Sequence, residues 1–158
     1  MREYQLKHIN QLSGFNMKIE KKYSNIYNEI QNIPNSFCYL YLGHYIDRKN
    51  VDLLIKAFYE VFKNKNKKPA LILKTTMSGS SYMDREEIIK KIKRIKATVN
   101  SKDLPEIYLL HGDLTDPEIN QLYNHPKVKA MVSLSRGEGF GRPLIEFTLS
   151  KKPLITTS

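Results

Sequence analysis

The sequence VKAMVSLSRGEGFGRPLIEF, residues 128–147, gives the clearest indication of the fold class. It opens with a mostly apolar run that is typical of a buried parallel strand. A glycine-rich turn follows, and then RPLIEFTLS (142–150), where Pro143 occupies the first helical turn and its missing N–H costs nothing. Strand, glycine turn and helix in this order indicate an α/β fold.

The same alternation runs through the chain from residue 37 onward. Short apolar runs predict strands, and apolar residues at helical spacing predict helices between them. The predicted strands are 37–42, 69–75, 106–111, 128–134 and 152–158. Because such strands lack a polar face, helices must cover both sides of a parallel sheet, with right-handed crossovers. We therefore predict a doubly wound, Rossmann-like α/β domain over residues 37–158.

Capping residues predict where three of the helices begin. Asn50 is expected to cap the first helix of the domain. Asp84, with Glu87 three residues later, is expected to cap the second, and Thr115, with Glu118, the third.

The two ends of the chain differ from this core. Residues 1–36 are polar, and their apolar residues from Ile19 to Ile30 follow a weak helical spacing, so we interpret them as a linker or arm with one helix. The chain stops at the fifth strand, which leaves a sheet edge without the helix that would normally cover it. We expect a fragment, truncated after this strand and also at its N-terminus.

Composition narrows the class of protein. The chain has 158 residues, of which 41% are hydrophobic, enough for one domain with a core. A net charge of +10 suggests an anionic partner, although scattered lysine runs also fit a solvated surface. The single Cys38 excludes a disulfide within the chain. Without a membrane-length apolar run or a secretory signal, a cytoplasmic location is the expectation.

The predicted topology brings two loops together. In the strand order 3-2-1-4-5 the order reverses between the first and fourth strands, and ligands bind at the carboxyl ends of the strands there. The loop after the first strand is GHYIDRKN (43–50), and the loop after the fourth is SRGEGFG (135–141). We expect these loops to lie side by side and to form the ligand site.

The second loop has the chemistry of an anion site between two carboxylates. Gly139 and Gly141 let the backbone approach a ligand, and their N–H groups, with that of Phe140, lead into a helix N-terminus. Glu138 and Glu146 flank this turn and can accept hydrogen bonds from hydroxyl groups. A diphosphate with hydroxyls at both ends describes a nucleotide sugar.

The first loop is basic. His44, Arg48 and Lys49 can supply positive charge to a diphosphate across the crevice. Each of these features alone is common in solvated turns and helix starts, and only their combination at one switch point favours a ligand site.

Other kinds of site lack their motifs. No G-x-G-x-x-G follows the first strand, and no P-loop or nucleophile elbow occurs. The four histidines, His8, His44, His111 and His125, have no metal-binding spacing.

These motifs resemble those of a known family. Residues 37–158 are similar to the C-terminal, donor-binding domain of retaining glycosyltransferases of GT-B architecture, in particular glycosyltransferase family 4, often called group 1. EGFGRPLIE (138–146) resembles the family's E-x7-E motif, and LGHYIDRKNVDLLIKAF (42–58) its first strand, basic loop and helix. The stretches 110–135 and 150–158 resemble those before and after the motif.

The resemblance implies a role for individual residues. Glu138 would contact the donor sugar, and Glu146 the ribose of the nucleotide. Lys49 and the backbone of residues 139–141 would hold the diphosphate and help the leaving group to depart, and residues 112–114 would lie near the base. The expected catalytic residues are therefore Glu138 and Lys49, and the expected donor contacts are His44, Arg48, Lys49, Gly139, Phe140, Gly141, Arg142 and Glu146.

Two positions depart from the family pattern. His44 stands where the family often has arginine, which weakens the assignment of a second phosphate contact. Lys74 stands where glycine is usual, and a phosphate contact and a solvated lysine remain equal alternatives.

The resemblance also implies an activity. The expected function is retaining transfer of a hexosyl group from a nucleotide-diphosphate sugar to an unknown glycan, lipid or protein, without metal or cofactor. This chain would supply the donor half and, without an N-terminal acceptor domain, would be inactive. A catalytically silent nucleotide-sugar or phosphate-ligand module and a basic nucleic-acid-binding domain are the alternatives; most aromatic residues fall in core positions, which speaks against nucleic acid. Peripheral membrane contact remains open.

Overall fold

The computed structural model describes residues 8–11 and 25–157, and of 8–11 only the backbone. Within these residues a six-stranded sheet has the order β1-β4-β3-β2-β5-β6. Its strands are β1 (His8–Gln11), β2 (Cys38–His44), β3 (Ala70–Thr76), β4 (Ile107–His111), β5 (Val128–Ser133) and β6 (Leu154–Thr156). Strands β2 to β6 are parallel, and β1 is antiparallel to β4. The predicted doubly wound parallel sheet is confirmed, with its reversal between β2 and β5.

Helices cover both faces of this sheet. They are α1 (Ile26–Gln31), α2 (Val51–Phe62), α3 (Tyr82–Ala97), α4 (Asp116–Asn124) and α5 (Arg142–Thr148). Alternate strand residues enter two separate core clusters: Leu40 and Ile72 pack with α1, α4 and α5, whereas Tyr41 and Leu73 pack with α2 and α3. This alternation follows from the two-residue period of a strand. None of the described helices combines the length and apolarity needed to cross a bilayer.

The edge strand β1 was not predicted. It pairs His8 with His111 and Gln11 with Tyr108 and so covers the outer edge of β4. Its sequence, HINQ, has one apolar residue and no alternation that would indicate a strand. Helix α1 lies inside the stretch for which one helix was predicted, although residues 19–24 of that pattern are outside the described residues. The interpretation of residues 1–36 as a linker or arm stays a prediction.

One of the predicted helix caps is confirmed. Thr115 precedes α4, and its backbone N–H donates to the Glu118 carboxylate at 2.7 Å, as a capping box requires. The prediction for Asn50 was wrong in its chemistry. Asn50 does precede α2, but its backbone is left-handed (φ 53°) and its side chain makes no capping bond. Its amide donates instead to the Leu134 carbonyl at 3.0 Å, since Leu134 lies in the neighbouring loop.

The predicted start of α3 was also wrong. The helix begins at Tyr82, and Ser81 is its cap, with Oγ accepting from the Asp84 N–H at 3.1 Å. Asp84 lies inside the first turn, where its carboxylate accepts from the N–H groups of Met77 (3.1 Å) and Gly79 (2.8 Å). A short acidic side chain in that position bonds the preceding loop as readily as a helix end.

Candidate functional site

Two loops meet at the carboxyl ends of β2 and β5, as the topology predicts. The Arg136 N–H donates to the Arg48 carbonyl at 2.8 Å, and the Arg136 guanidinium donates to the Asp47 carbonyl at 2.9 Å. The bond from Asn50 to Leu134 crosses between the same loops. The loops are therefore held together by several hydrogen bonds between residues far apart in the sequence.

Lys49 and Glu138 form an ion pair across this junction. Their side chains are 15% and 25% exposed, so the pair is partly shielded from water. Tyr41 lies below it and donates its hydroxyl to the His44 carbonyl at 3.0 Å. Burial, and next the negative charge of Glu138, raise the pKa of the Tyr41 phenol well above its ordinary value. Tyr41 therefore stays neutral, and its hydroxyl remains a donor to the backbone carbonyl of His44.

A cavity of about 410 Å³ opens at this junction. Its volume lies in the range of small-molecule sites. It is lined by Leu42, Gly43, His44, Ile46, Arg48, Lys49, Lys74, Thr76, Asp113, Leu114, Ile119, Glu138, Pro143 and Leu144. The structure thus brings together four of the predicted site residues, His44, Arg48, Lys49 and Glu138.

The charged groups of this cavity favour an anion. Three cations, Arg48, Lys49 and Lys74, stand against two carboxylates, Asp113 and Glu138. Positive side chains that converge on one cavity are the usual chemistry of phosphate sites. Lys74, for which a solvated position was an equal alternative, lies in the cavity wall.

Glu146 lies in an adjoining cavity of about 380 Å³. Its carboxylate accepts from the Arg142 guanidinium at 2.5 Å, one helical turn earlier on α5. Ile119 lines both cavities, so they share a wall. Glu138 and Glu146 were expected to open into one crevice, but they line two neighbouring cavities.

Most side chains that line the second cavity are polar. Its lining comprises Asp116, Ile119, Asn120, Tyr123, Asn124, Arg142, Glu146, Leu149 and Ser150. Burial, and next the Glu146 carboxylate, raise the pKa of Tyr123 to about 12. The hydrogen bond that the Arg142 guanidinium donates to Glu146 raises the pKa of this guanidinium above its usual range. Both groups keep their ordinary charge near neutral pH, and the cavity offers amide and carboxylate groups suited to hydroxyl-bearing ligands.

The glycine turn connects the two cavities. Gly141 has a left-handed backbone (φ 66°), which glycine adopts without strain. A Cβ at Gly139 would meet nothing within 4 Å, so open space lies beside it. Phe140 is 82% exposed. Gly139, Phe140 and Gly141 lie outside the linings of both cavities, and their predicted donor contacts stay predictions.

Sequence reasoning missed several residues of this site. Thr76, the last residue of β3, lines the first cavity and was not predicted. The position of Thr76 at the carboxyl end of a parallel strand was the signal that could have identified it. Asp113 follows β4 and also lines this cavity, but it belongs to the stretch 112–114 that the family resemblance had placed near the base. Arg136 had no such signal, because its role depends on carbonyl groups of the other loop.

The described residues contain no group of three or more His, Cys, Asp or Glu side chains placed to hold a metal ion.

Comparisons with known proteins give the family. The family model described as glycosyl transferases group 1 matches residues 24–158. No curated protein matches the chain significantly.

Solved structures of low sequence identity share the fold. One is the C-terminal domain of the group 1 family glycosyl transferase LpcC from Francisella tularensis, with a TM-score of 0.60, 20% identity and coverage of 86% of this chain and 65% of that one. Another is HepE from Anabaena, solved with UDP and glucose, with a TM-score of 0.58, 20% identity and coverage of 86% and 34%. A third is the N-terminal domain of trehalose-6-phosphate phosphatase from Candida albicans, with a TM-score of 0.59, 13% identity and coverage of 84% and 30%.

The chain therefore spans less than two thirds of the length of each of these structures. Its Rossmann-like fold matches the C-terminal domain of a GT-B glycosyltransferase. The family match extends over most of the sequence and includes both loops of the cavity. The chain belongs to the glycosyl transferases of group 1.

Proposed function

We propose that this chain is the donor-binding half of a retaining glycosyltransferase that uses a nucleotide-diphosphate sugar, with the first cavity as its diphosphate and sugar site. The observation that carries the proposal is the Lys49–Glu138 ion pair at the switch point of the sheet, in the wall of a cavity that has three cations and two carboxylates. Cation and carboxylate in contact suit a ligand with phosphate and hydroxyl groups side by side.

Donor binding would exchange the partner of Lys49. The diphosphate takes the Lys49 ammonium, with Arg48 and Lys74 as further cations of the cavity. Glu138 then accepts hydrogen bonds from hydroxyls of the sugar. Negative charge grows on the leaving phosphate as the glycosidic bond breaks, and a cation already in place stabilises it. Lys49 and Glu138 are catalytic residues in this mechanism.

The nucleoside would extend into the second cavity. Glu146 accepts hydrogen bonds from the ribose hydroxyls in place of the Arg142 guanidinium. Asp113 and Leu114, which line the first cavity near its boundary with α4, then lie close to the base. UDP is the nucleotide to test first, because the structure of HepE from Anabaena was solved with UDP and glucose.

A second domain would provide the acceptor site. Large apolar side chains are exposed on the loops and helix starts at the carboxyl end of the sheet: Ile46 (42%), Tyr82 (73%), Met83 (80%) and Phe140 (82%). Exposed apolar groups around a cavity are typical of a contact surface. We therefore expect the chain alone to bind donor and to transfer no sugar, hexosyl or other, at a useful rate, with acceptor binding on a domain that faces this end. Metal is not required in this mechanism.

Titration calorimetry with UDP tests the proposal. Lys49→Ala should weaken UDP binding by about ten- to a hundredfold, since a hydrogen bond to a charged group contributes roughly 1.5–3 kcal/mol. Lys56→Ala, in an exposed position on α2, removes the same charge and should leave binding unchanged. Absence of UDP binding, or equal losses in both variants, would contradict the proposal.

A further inference from the structure

A groove with aromatic walls lies at the end of the sheet opposite the proposed donor cavity. It has a volume of about 630 Å³, and its lining includes Phe37, Tyr39, Phe62, Lys67 and Lys68. Phe37 directly precedes β2, and Phe62 is the last residue of α2. Lys67 and Lys68 are followed by one proline and then by Ala70, where β3 begins. The groove is therefore at the amino ends of the parallel strands.

The floor of the groove is a cluster of aromatic rings. The ring centroids of Phe37 and Tyr39 are 5.0 Å apart, and those of Tyr39 and Phe62 are 5.9 Å apart. Despite these contacts Phe37 remains 42% exposed. This exposed aromatic surface can contact the hydrocarbon part of a ligand.

The rim of the groove is strongly basic. Segment 63–68 has the sequence KNKNKK, with four lysines and no acidic residue. Lys63 pairs with Glu60, and Lys68 with Asp103 at 2.7 Å, while Lys65 and Lys67 are exposed.

The same end of the molecule collects further positive charge. Helix α3 runs back along the sheet, so its last turns, with Lys93, Arg94 and Lys96, reach the amino ends of the strands. The loop after α3 is joined to segment 63–68, because the Asn64 N–H donates to the Asp103 carbonyl at 2.9 Å. Lysine segment, helix end and aromatic groove thus form one surface, which we name the amino-end patch.

We propose that the amino-end patch binds an anionic lipid surface. Lysines attract anionic headgroups and keep their ammonium groups in water while their stems lie along apolar material. A partly exposed aromatic residue in the centre of a basic surface is the combination that interfacial membrane binding uses.

The chemistry of the patch favours lipid over nucleic acid. Bases stack on open aromatic faces, but Phe37, Tyr39 and Phe62 pack at tilted angles against one another. The cations of segment 63–68 are all lysines, whereas forked contacts to phosphates and bases favour arginine. A diffuse lysine cluster suits a surface of many headgroups.

Membrane binding through this patch would orient the proposed donor cavity. Strand β2 has seven residues at about 3.3 Å each, so the two sites are roughly 20 Å apart along the strands. The cavity would face away from the bilayer. The lipid proposal is independent of the proposed transferase activity.

Sedimentation of the chain with phosphatidylcholine vesicles, with and without phosphatidylglycerol, tests the proposal. Binding should require the anionic lipid and weaken steeply above about 0.1 M salt. Each lysine near a charged membrane contributes about fivefold in affinity, so Lys65→Gln with Lys67→Gln should lower the partition coefficient by roughly 25-fold. Phe37→Ser should lower it several-fold and leave the salt dependence unchanged, and circular dichroism confirms that each variant is folded.

Lys56→Gln with Lys90→Gln is the matched control, because both lysines are exposed on helices and the loss of charge is equal. This variant should bind vesicles as the parent chain does. Equal losses in the two double variants, or binding independent of phosphatidylglycerol, would overturn the proposal. So would tight binding of a single-stranded oligonucleotide through Lys65 and Lys67 without binding of vesicles.

Discussion

Lys49 and Glu138 are 89 positions apart in the sequence and in contact in the fold. Together they place an ammonium group and a carboxylate next to each other in the wall of the first cavity. Because each side chain holds the other, a ligand that takes one of them must release its partner.

Replacement of Glu138 should strengthen binding of the bare nucleotide and lower the affinity of the nucleotide sugar relative to it. Glu138→Gln removes the charge that holds Lys49, so the ammonium becomes available to phosphate. Since a partly exposed ion pair contributes at most about 1 kcal/mol, UDP should bind up to about fivefold more tightly. UDP-glucose should bind less tightly relative to UDP than it does in the parent chain. Calorimetry with both ligands decides, and parallel changes for the two would show that Glu138 does not contact the sugar.

Replacement of Glu146 should weaken the bare nucleotide. Glu146→Ala removes the proposed acceptor of the ribose hydroxyls and should lower UDP affinity by roughly ten- to a hundredfold. Glu60→Ala on α2 is the control, since it also breaks an ion pair with a basic neighbour but lies outside both cavities. Unchanged affinity for UDP in folded Glu146→Ala would limit the role of this residue to its pairing with Arg142.

Asn50 should stabilise the junction through both its backbone and its side chain. Asn50→Gly keeps the left-handed backbone but loses the bond to Leu134, at a cost of about 1 kcal/mol. Asn50→Ala loses the same bond and adds a left-handed residue with a Cβ, for about 1 kcal/mol more. Urea unfolding of both variants measures the order, and an alanine variant as stable as the glycine variant would contradict it.

The strand pattern could be predicted because it is encoded locally. Each buried strand is a short apolar run. Because both faces of such a strand are apolar, it must lie in a sheet that is covered on both sides. The meeting of loops 43–50 and 135–141 followed from topology alone. Even so, β6 is shorter than predicted, since its side chains at the edge are half-buried or exposed.

Features that depend on distant partners could not be predicted. Strand β1 forms on the open edge of β4, and its own four residues carry no strand signal. Asn50 is a residue type that often caps helices, but here its backbone is left-handed rather than extended, and its side-chain amide donates to the Leu134 carbonyl in the other loop. Glu138 and Glu146 line neighbouring cavities, and the spacing of the two glutamates in the sequence does not predict that Glu146 pairs with Arg142 along α5.

The stability of the fold should fall when the pH drops below about 7, because His111 and His125 are buried. Burial lowers the pKa of both imidazoles. For His125 the ammonium groups of Lys127 and Lys152 lower the pKa further, against a hydrogen bond with Tyr27 that raises it. Below the unfolded pKa of about 6.5 the unfolded chain binds a proton that the native state does not, so the free energy of unfolding decreases with falling pH.

Urea unfolding between pH 7.5 and 5 measures this dependence. Each histidine contributes a slope of at most about 1.4 kcal/mol per pH unit, and His125→Gln should remove its share. Leu122→Ala is the control, because it destabilises the adjacent, fully buried part of α4 without a titrating group and should shift the whole curve downward in parallel. If His125→Gln leaves the slope as steep as in Leu122→Ala, His125 is protonated equally in both states, and the buried, neutral imidazole is not a source of acid sensitivity.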